Sequence, residues 1–259
     1  NAAGRLGKAD NGFHLLTSVD LKKAKELAQE LNVINQERKD IQKLVQDEAE
    51  YLIGREVNLE EDRVIVLASE NFHSGVVGIV ASRVVEKYFR PAVLIALENG
   101  VGKGSGRSIP HFNLHRAFTE CARYLAQFGG HAYAAGLTIN ENNLDLFRNA
   151  INEVGRRVLS DENLVPELFL DESIKISEID ATLHEQVTFL EPFGAENPSP
   201  IFLVQNISVY GLKRIGREES HVRFQAVQGD TRIDAVGFNL AEEFTSIDEK
   251  LDKVDLACE

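Results

Sequence analysis

Gly102-Lys103-Gly104-Ser105-Gly106-Arg107-Ser108 alternates glycine with polar and cationic residues, and Phe128-Gly129-Gly130-His131 repeats the theme downstream. Glycine has no Cβ, so the chain can turn through positive φ or lie close against a ligand. Successive unpaired amides in such a turn form a concavity for an anion. Lys103, Ser105, Arg107 and Ser108 add ammonium, hydroxyl and guanidinium donors. The guanidinium fork fits phosphate oxygens two at a time. His131 can donate to a phosphate oxygen or move a proton near neutral pH. Tight turns between packed strands and helices would use the same residues.

Outward from these stretches, the pattern alternates strand and helix. Val64–Ala68 and Ala92–Leu97 read as short buried strands, and Gly75–Tyr88 as a helix closed off by Pro91. Gly102–Ser108 is expected on a strand edge. Asn113 is expected to cap a helix running to Gln127, which Gly129 and Gly130 stop. Tyr133–Ile139 reads as a strand and Leu144–Leu159 as a closing helix. Such alternation argues for an α/β layer. Upstream, Asp20 caps a helix expected over Leu21–Ile53, with an apolar stripe of Leu27, Leu31, Ile34, Ile41, Val45 and Leu52. At 1.5 Å per residue it spans roughly 50 Å, a length suited to a connector between domains.

The composition changes near Pro166. Strand-like runs follow at Leu168–Ile176, Ile201–Leu212, Val222–Val227, Arg232–Phe238 and Lys253–Cys258, with a helix over Ala181–Leu190. Several short strands around one helix predict a small β-barrel of the oligonucleotide-binding kind. The net charge is −13, yet from residue 161 onward 21 acidic residues face 8 basic ones, so residues 1–160 are neutral. A local basic pocket is compatible with that balance, whereas a long nonspecific phosphate track is not. Cys121 and Cys258 form no disulfide framework and have no metal-ligand spacing, which fits a reducing cytoplasm. No run approaches the roughly 18 apolar residues of a membrane span. The chain has no methionine, as expected of a piece cut from a longer protein.

Five motifs in order resemble one family. They are Asn1-Ala2-Ala3-Gly4-Arg5-Leu6-Gly7, His73-Ser74-Gly75-Val76-Val77-Gly78-Ile79-Val80-Ala81-Ser82-Arg83, Gly104-Ser105-Gly106-Arg107-Ser108-Ile109-Pro110, Phe128-Gly129-Gly130-His131 with Ala134-Ala135-Gly136, and Pro192-Phe193-Gly194 with Asn197-Pro198. Together they are similar to the RecJ family of single-strand-specific 5′→3′ DNA exonucleases, within the DHH phosphoesterase superfamily. The resemblance implies a tail of the DHH domain over 1–19 and a connector helix over 20–58. It further implies a DHH-associated α/β domain over 59–162 and an oligonucleotide-binding-fold barrel, truncated, over 163–259. The catalytic metals of that family, Mn²⁺ or Mg²⁺, are held by Asp and His of the DHH domain. This chain contains no Asp-His-His and no Asp-x-Asp, so no metal ligands are expected in it and it is expected to be inactive alone.

The resemblance also assigns roles. Arg5, Ser105 and Arg107 would hold the 5′ phosphate, with Gly106 and Ser108 in the same stretch. Gly129, Gly130 and His131 would face the cleft, His131 as the catalytic group on the scissile phosphate. His73, between a strand end and a helix start, would line the cleft, where a helix N-terminus favours an anion. Arg83 is expected in an interdomain ion pair. In the barrel, Lys213, Arg214, Arg217 and Arg223 with Phe224 supply charge and stacking for single-stranded DNA. The function implied is the substrate-binding portion of a metal-dependent exonuclease of DNA repair and recombination, with repair-protein partners and no membrane. The alternatives are a DHH-type phosphoesterase acting on short RNA or small nucleotides, and a non-catalytic single-strand-binding or interaction module.

Overall fold

The computed structural model describes residues 2–7, 9–248 and 252–259, so Asn1 of the first motif lies outside the described residues. The chain divides into two compact units, Asn1–Pro166 and Glu167–Glu259.

The first unit opens with two short helices, α1 (Ala2–Leu6) and α2 (Asp10–Thr17), and the long α3 (Leu21–Glu56). Asp20 caps α3, its side chain accepting from the Lys22 amide at 2.8 Å and from the Lys23 amide at 3.4 Å. Next come β1 (Ile65–Ser69), α4 (Val77–Tyr88), β2 (Ala92–Glu98), β3 (Val101–Arg107), α5 (Leu114–Glu120), β4 (Leu125–Gly130), β5 (Ala134–Asn140) and α6 (Leu144–Val158). The strands form one sheet in the order β1-β2-β3-β5-β4, parallel only between β1 and β2.

Each face of this sheet has its own core, because successive side chains of a strand point to opposite sides. Val93, Ile95, Leu137 and Ile139 pack on one face against Leu114, Phe118, Phe147 and Ile151 of α5 and α6. Ile65, Leu67, Ala92 and Leu94 pack on the other against Val45, Ala49 and Leu52 of α3 and Val77, Val80 and Val84 of α4. Polar contacts clamp α3 to α4: Lys87 and Tyr88 meet Glu50 at 2.7 and 2.6 Å. Arg83, expected in an interdomain ion pair, instead donates to Gln46 of α3 at 2.5 Å. Asn152 of α6 is buried and fully engaged. Its Oδ1 accepts from the Arg63 and Val64 amides, and its Nδ2 donates to the Val64 carbonyl.

Two expectations are corrected here. The glycine-rich β3 is not an edge strand but the middle strand, paired with both β2 and β5. The helix from Asn113 ends at Glu120. Residues from Leu125 form β4, because Phe128 is drawn into the core opposite Leu137 and edge-on to Phe118. Gly129 and Gly130 therefore end a strand rather than a helix.

The second unit contains β6 (Glu172–Ser173), α7 (Ala181–Thr188), β7 (Phe202–Ile215), β8 (His221–Gln228), β9 (Thr231–Gly237) and β10 (Val254–Cys258). The sheet order is β10-β7-β8-β9, with β6 on β7. The long β7 serves two partners: its first half pairs with β10 and its second half with β8, with a bulge between Tyr210 and Lys213. Gly211 there has φ 63°, a conformation that glycine adopts without strain. The core is Val204, Ile207, Val209, Val222, Phe224 and Ala226, closed by Ile176, Ala241 and Phe244. Among the described residues β9 and β10 do not pair, so the truncated barrel expected here takes the form of an open sheet. The strand expected over Leu168–Ile176 shrinks to β6, since Leu168 and Phe169 face solvent instead of alternating into the core.

Candidate nucleic-acid interface

Period-two alternation sorts the glycine-rich strand into two faces. Gly102, Gly104 and Gly106 point into the core shared with α5 and α6. A Cβ at 102 would lie 2.5 Å from Ile95 Cγ2, and one at 106 would lie 2.5 Å from Leu114 Cδ2. Their missing side chains make room for packing. The expected nest of free amides is not formed, because β3 is paired along its whole length on both sides and none of these glycines has positive φ.

Lys103, Ser105 and Arg107 occupy the opposite face. They stand beside Thr138, Gly136 and Ala134 of β5, with Gln127 and Gly129 of β4 in the next row. Helices α3 and α4 cover this face over β1 and β2. Over β5 and β4 it is open, with Gln127, Gly129, Ala134 and Gly136 all exposed. The result is a flat strip of small residues bordered by a hydroxyl, an ammonium and a guanidinium. Gly129 has open space above it, whereas Gly130 is required by the backbone: its φ is 138° and a Cβ would sit 2.5 Å from the Ala134 carbonyl oxygen. His131 follows at the end of β4, exposed, its amide donating to the Ala134 carbonyl at 2.8 Å.

Arg107 is half-buried at the end of the polar row. Its Nη1 donates to Ser105 Oγ at 3.0 Å and to the Gly106 carbonyl at 2.8 Å. Among the described residues no carboxylate pairs with it. Burial, and then the nearby Arg5 charge, push its pKa below the usual arginine range. Arg5 comes from the end of α1 and donates to the Gly75 carbonyl at 3.3 Å. His73 Nδ1 accepts from the Gly75 amide at 3.0 Å, so Nδ1 carries no proton and Nε2–H is left as a donor in the neutral ring. The entry of α4 thus gathers Arg5, His73, Ser105 and Arg107, two cations and two further donors; neither cation is ion-paired among the described residues, and Glu70 and Glu98 line a cavity with His73 and Lys103. Ser108 differs, its hydroxyl donating to the Phe112 carbonyl at 2.6 Å within a turn. Sequence reasoning missed Gln127, which it placed in a helix, and Thr138, which it placed on a strand without assigning that strand a face.

The barrel residues separate in the same way. Phe224 points inward, 4% exposed and stacked near Phe244, so it serves the core and is not a platform for bases. Arg214 is spent on Glu242, the Ala241 carbonyl and Thr245. Arg223 pairs with Asp234 at 3.0 Å. Lys213, Arg217 and Tyr210 are exposed.

Comparison with known proteins accords with this architecture. Residues 61–156 match the DHHA1 domain. Residues 170–259 match the RecJ OB domain. With both in this order, the chain belongs to the RecJ family. It is 36% identical over 244 residues to the single-stranded-DNA-specific exonuclease RecJ of Bacillus subtilis, covering 93% of this chain and 31% of that protein. It is 32% identical to the Escherichia coli RecJ, covering 93% of this chain and 43% of that protein. The crystal structure of Thermus thermophilus RecJ with Mn²⁺ superposes with a TM-score of 0.75 at 29% identity, covering 90% of this chain and 34% of that one. The chain therefore spans about a third to two-fifths of the length of these relatives. Among the described residues no group of three or more His, Cys, Asp or Glu side chains could hold a metal ion, so the Mn²⁺ of that relative has no fitting ligand set here. No described helix is long and apolar enough to cross a membrane.

Proposed function

We propose that this chain is the substrate-binding portion of a single-strand-specific 5′→3′ DNA exonuclease and that its α/β unit reads the 5′ phosphate. The observation that carries this is the half-buried Arg107 held beside Arg5 and Ser105 and paired with no carboxylate among the described residues. Two unneutralised guanidiniums at one place favour a multiply charged anion, and a terminal phosphate carries nearly two charges at neutral pH. The bare strip through Gly129, Gly136 and Ala134 leads from that pocket toward His131 and lets a sugar–phosphate backbone approach the sheet closely. In this reading His131 contacts the scissile phosphate, while divalent ions and the attacking water belong to residues outside this chain. The second unit adds grip through exposed Tyr210, Lys213 and Arg217, a stacking-plus-charge combination suited to single strands. A RecJ OB domain speaks against short dinucleotide substrates, which need no second binding unit. Repair and recombination in the cytoplasm, with repair-protein partners, is the setting such an enzyme serves.

The test is fluorescence anisotropy of this chain with one single-stranded DNA, 5′-phosphorylated or 5′-hydroxyl, at two salt concentrations. Tighter binding of the phosphorylated end is expected. Equal affinities for both ends would overturn end reading by these residues.

A further inference from the structure

The end-reading pocket has a wall with no side chain. Gly78 sits in the first turn of α4 and is buried. A Cβ there would lie 2.9 Å from Ser105 Oγ and 3.1 Å from Arg107 Nη2. Nη1 is the arm committed to Ser105 Oγ and the Gly106 carbonyl, while Nη2 makes no hydrogen bond among the described residues. Just before the helix, Gly75 is similarly crowded: a Cβ there would meet the Arg5 carbonyl oxygen at 2.0 Å. The guanidinium of Arg107 and the backbone of Arg5 are therefore each fitted against a glycine gap at the entry of one helix, and Val76 at its N-cap offers no side-chain hydrogen bond to the first turn.

The two gaps differ in kind. At Gly75 the obstacle is backbone, so filling it would displace α1. At Gly78 the obstacles are the far ends of two side chains, which can move without disturbing the fold. A methyl at 78 would push the guanidinium away from the helix entry while leaving core packing in place.

We infer that Gly78 is a positioning residue: its missing side chain leaves the slot that seats the Nη2 end of Arg107, and so sets the preference for a terminal phosphate over a terminal hydroxyl. This rests on the end-reading function proposed above. Glycine inside a helix is unfavourable relative to alanine, so retaining it there calls for a reason of this sort.

The experiment measures Kd for 5′-phosphorylated and 5′-hydroxyl strands of one sequence with wild type, Gly78→Ala, Arg107→Ala and the double variant. Melting temperature is recorded alongside. Gly78→Ala is expected to lower affinity for the phosphorylated strand about 10-fold, as one displaced charge-assisted contact implies, with little change for the hydroxyl strand and an unchanged or raised melting temperature. In the Arg107→Ala background the same substitution should have no further effect, because coupled residues are non-additive. An unaltered phosphate preference in Gly78→Ala, an effect that persists without Arg107, or loss of the cooperative fold would each overturn the inference. A wild type that ignores the 5′ end would sink the end-reading function and this inference together. A discriminating wild type with an equally discriminating Gly78→Ala would sink this inference alone.

Discussion

Arg107 reaches back along its own strand face to Ser105, Nη1 donating to Oγ at 3.0 Å, and this pair sits against Gly78 at the start of α4, beside the open half of the sheet. A guanidinium in that position has been partly stripped of water and receives no carboxylate in return. Burial of this kind costs stability, and no ion pair among the described residues offsets it.

Arg107→Ala should therefore leave the melting temperature unchanged or slightly raised, since it removes a half-buried cation that repels Arg5. Binding of a 5′-phosphorylated strand should fall by about 10- to 100-fold, because hydrogen bonds to charged groups are worth about 1.5–3 kcal/mol. Binding of a 5′-hydroxyl strand should fall less. Scanning calorimetry and anisotropy together check this, and a large drop in melting temperature would mark Arg107 as structural instead.

Glycines on the two faces of the sheet should respond oppositely to the same change. Gly106→Ala drives a methyl to 2.5 Å from Leu114 Cδ2, a fully buried side chain. Overpacking of this kind costs about 1–3 kcal/mol. Gly129→Ala meets nothing within 4 Å and should leave stability unchanged while weakening single-strand binding, since the methyl rises from the bare strip. Urea unfolding of both variants separates them, and equal stabilities would show that the face assignment is wrong.

Asn152 joins α6 to the start of β1 through three backbone contacts at 2.8–3.0 Å. Asn152→Ala would orphan the buried Val64 amide and carbonyl. The expected cost is about 2–4 kcal/mol, because stranded buried donors and acceptors lose their solvation without return. Asn152→Asp should be no better: it restores the acceptor for the two amides but turns a second acceptor toward the Val64 carbonyl. Denaturant midpoints check both, and a near-neutral alanine variant would show that water replaces the amide.

The strand–helix order of the first unit was legible because buried runs such as Ala92–Leu97 and capped helices such as the one after Asp20 carry their own period. The site was half legible. Ser105 and Arg107 announced phosphate chemistry by residue type, but the glycines between them looked like a turn, since sequence alone does not show that Ile95, Ile139 and Leu114 fill the space they leave. The segment before Gly129 misled for a related reason: its alanines and leucine favour a helix, and only pairing with Leu137 and Thr138 of β5 makes it a strand. Phe224 and Arg214 show the limit of counting aromatics and cations. One is core and the other is spent on Glu242 and Thr245, a distinction set by strand register and loop packing, not by composition.

Cys121 gives a pH signature that belongs to the fold itself. It lies 1% exposed in the core beneath α5, and burial, followed by the nearby Glu120 charge, pushes its thiol up to about 11 from an ordinary value of 9.0. The folded chain then keeps its proton between about pH 9 and 11, where the unfolded chain has lost it. Its contribution to stability is complete below pH 9 and disappears as pH rises toward 11, by at most about 2–3 kcal/mol. Cys121→Ala leaves a small void whose cost does not depend on pH, so the stability gap between wild type and variant should be constant up to pH 9 and should shift steadily in favour of the variant above it. Urea unfolding at intervals from pH 7.5 to 10.5 reads this directly, with every other titrating group cancelling in the difference. A gap that stays flat throughout would mean the thiol ionises as freely in the fold as outside it. The same burial predicts that Cys258, half-buried on β10, is alkylated well before Cys121 in the native protein.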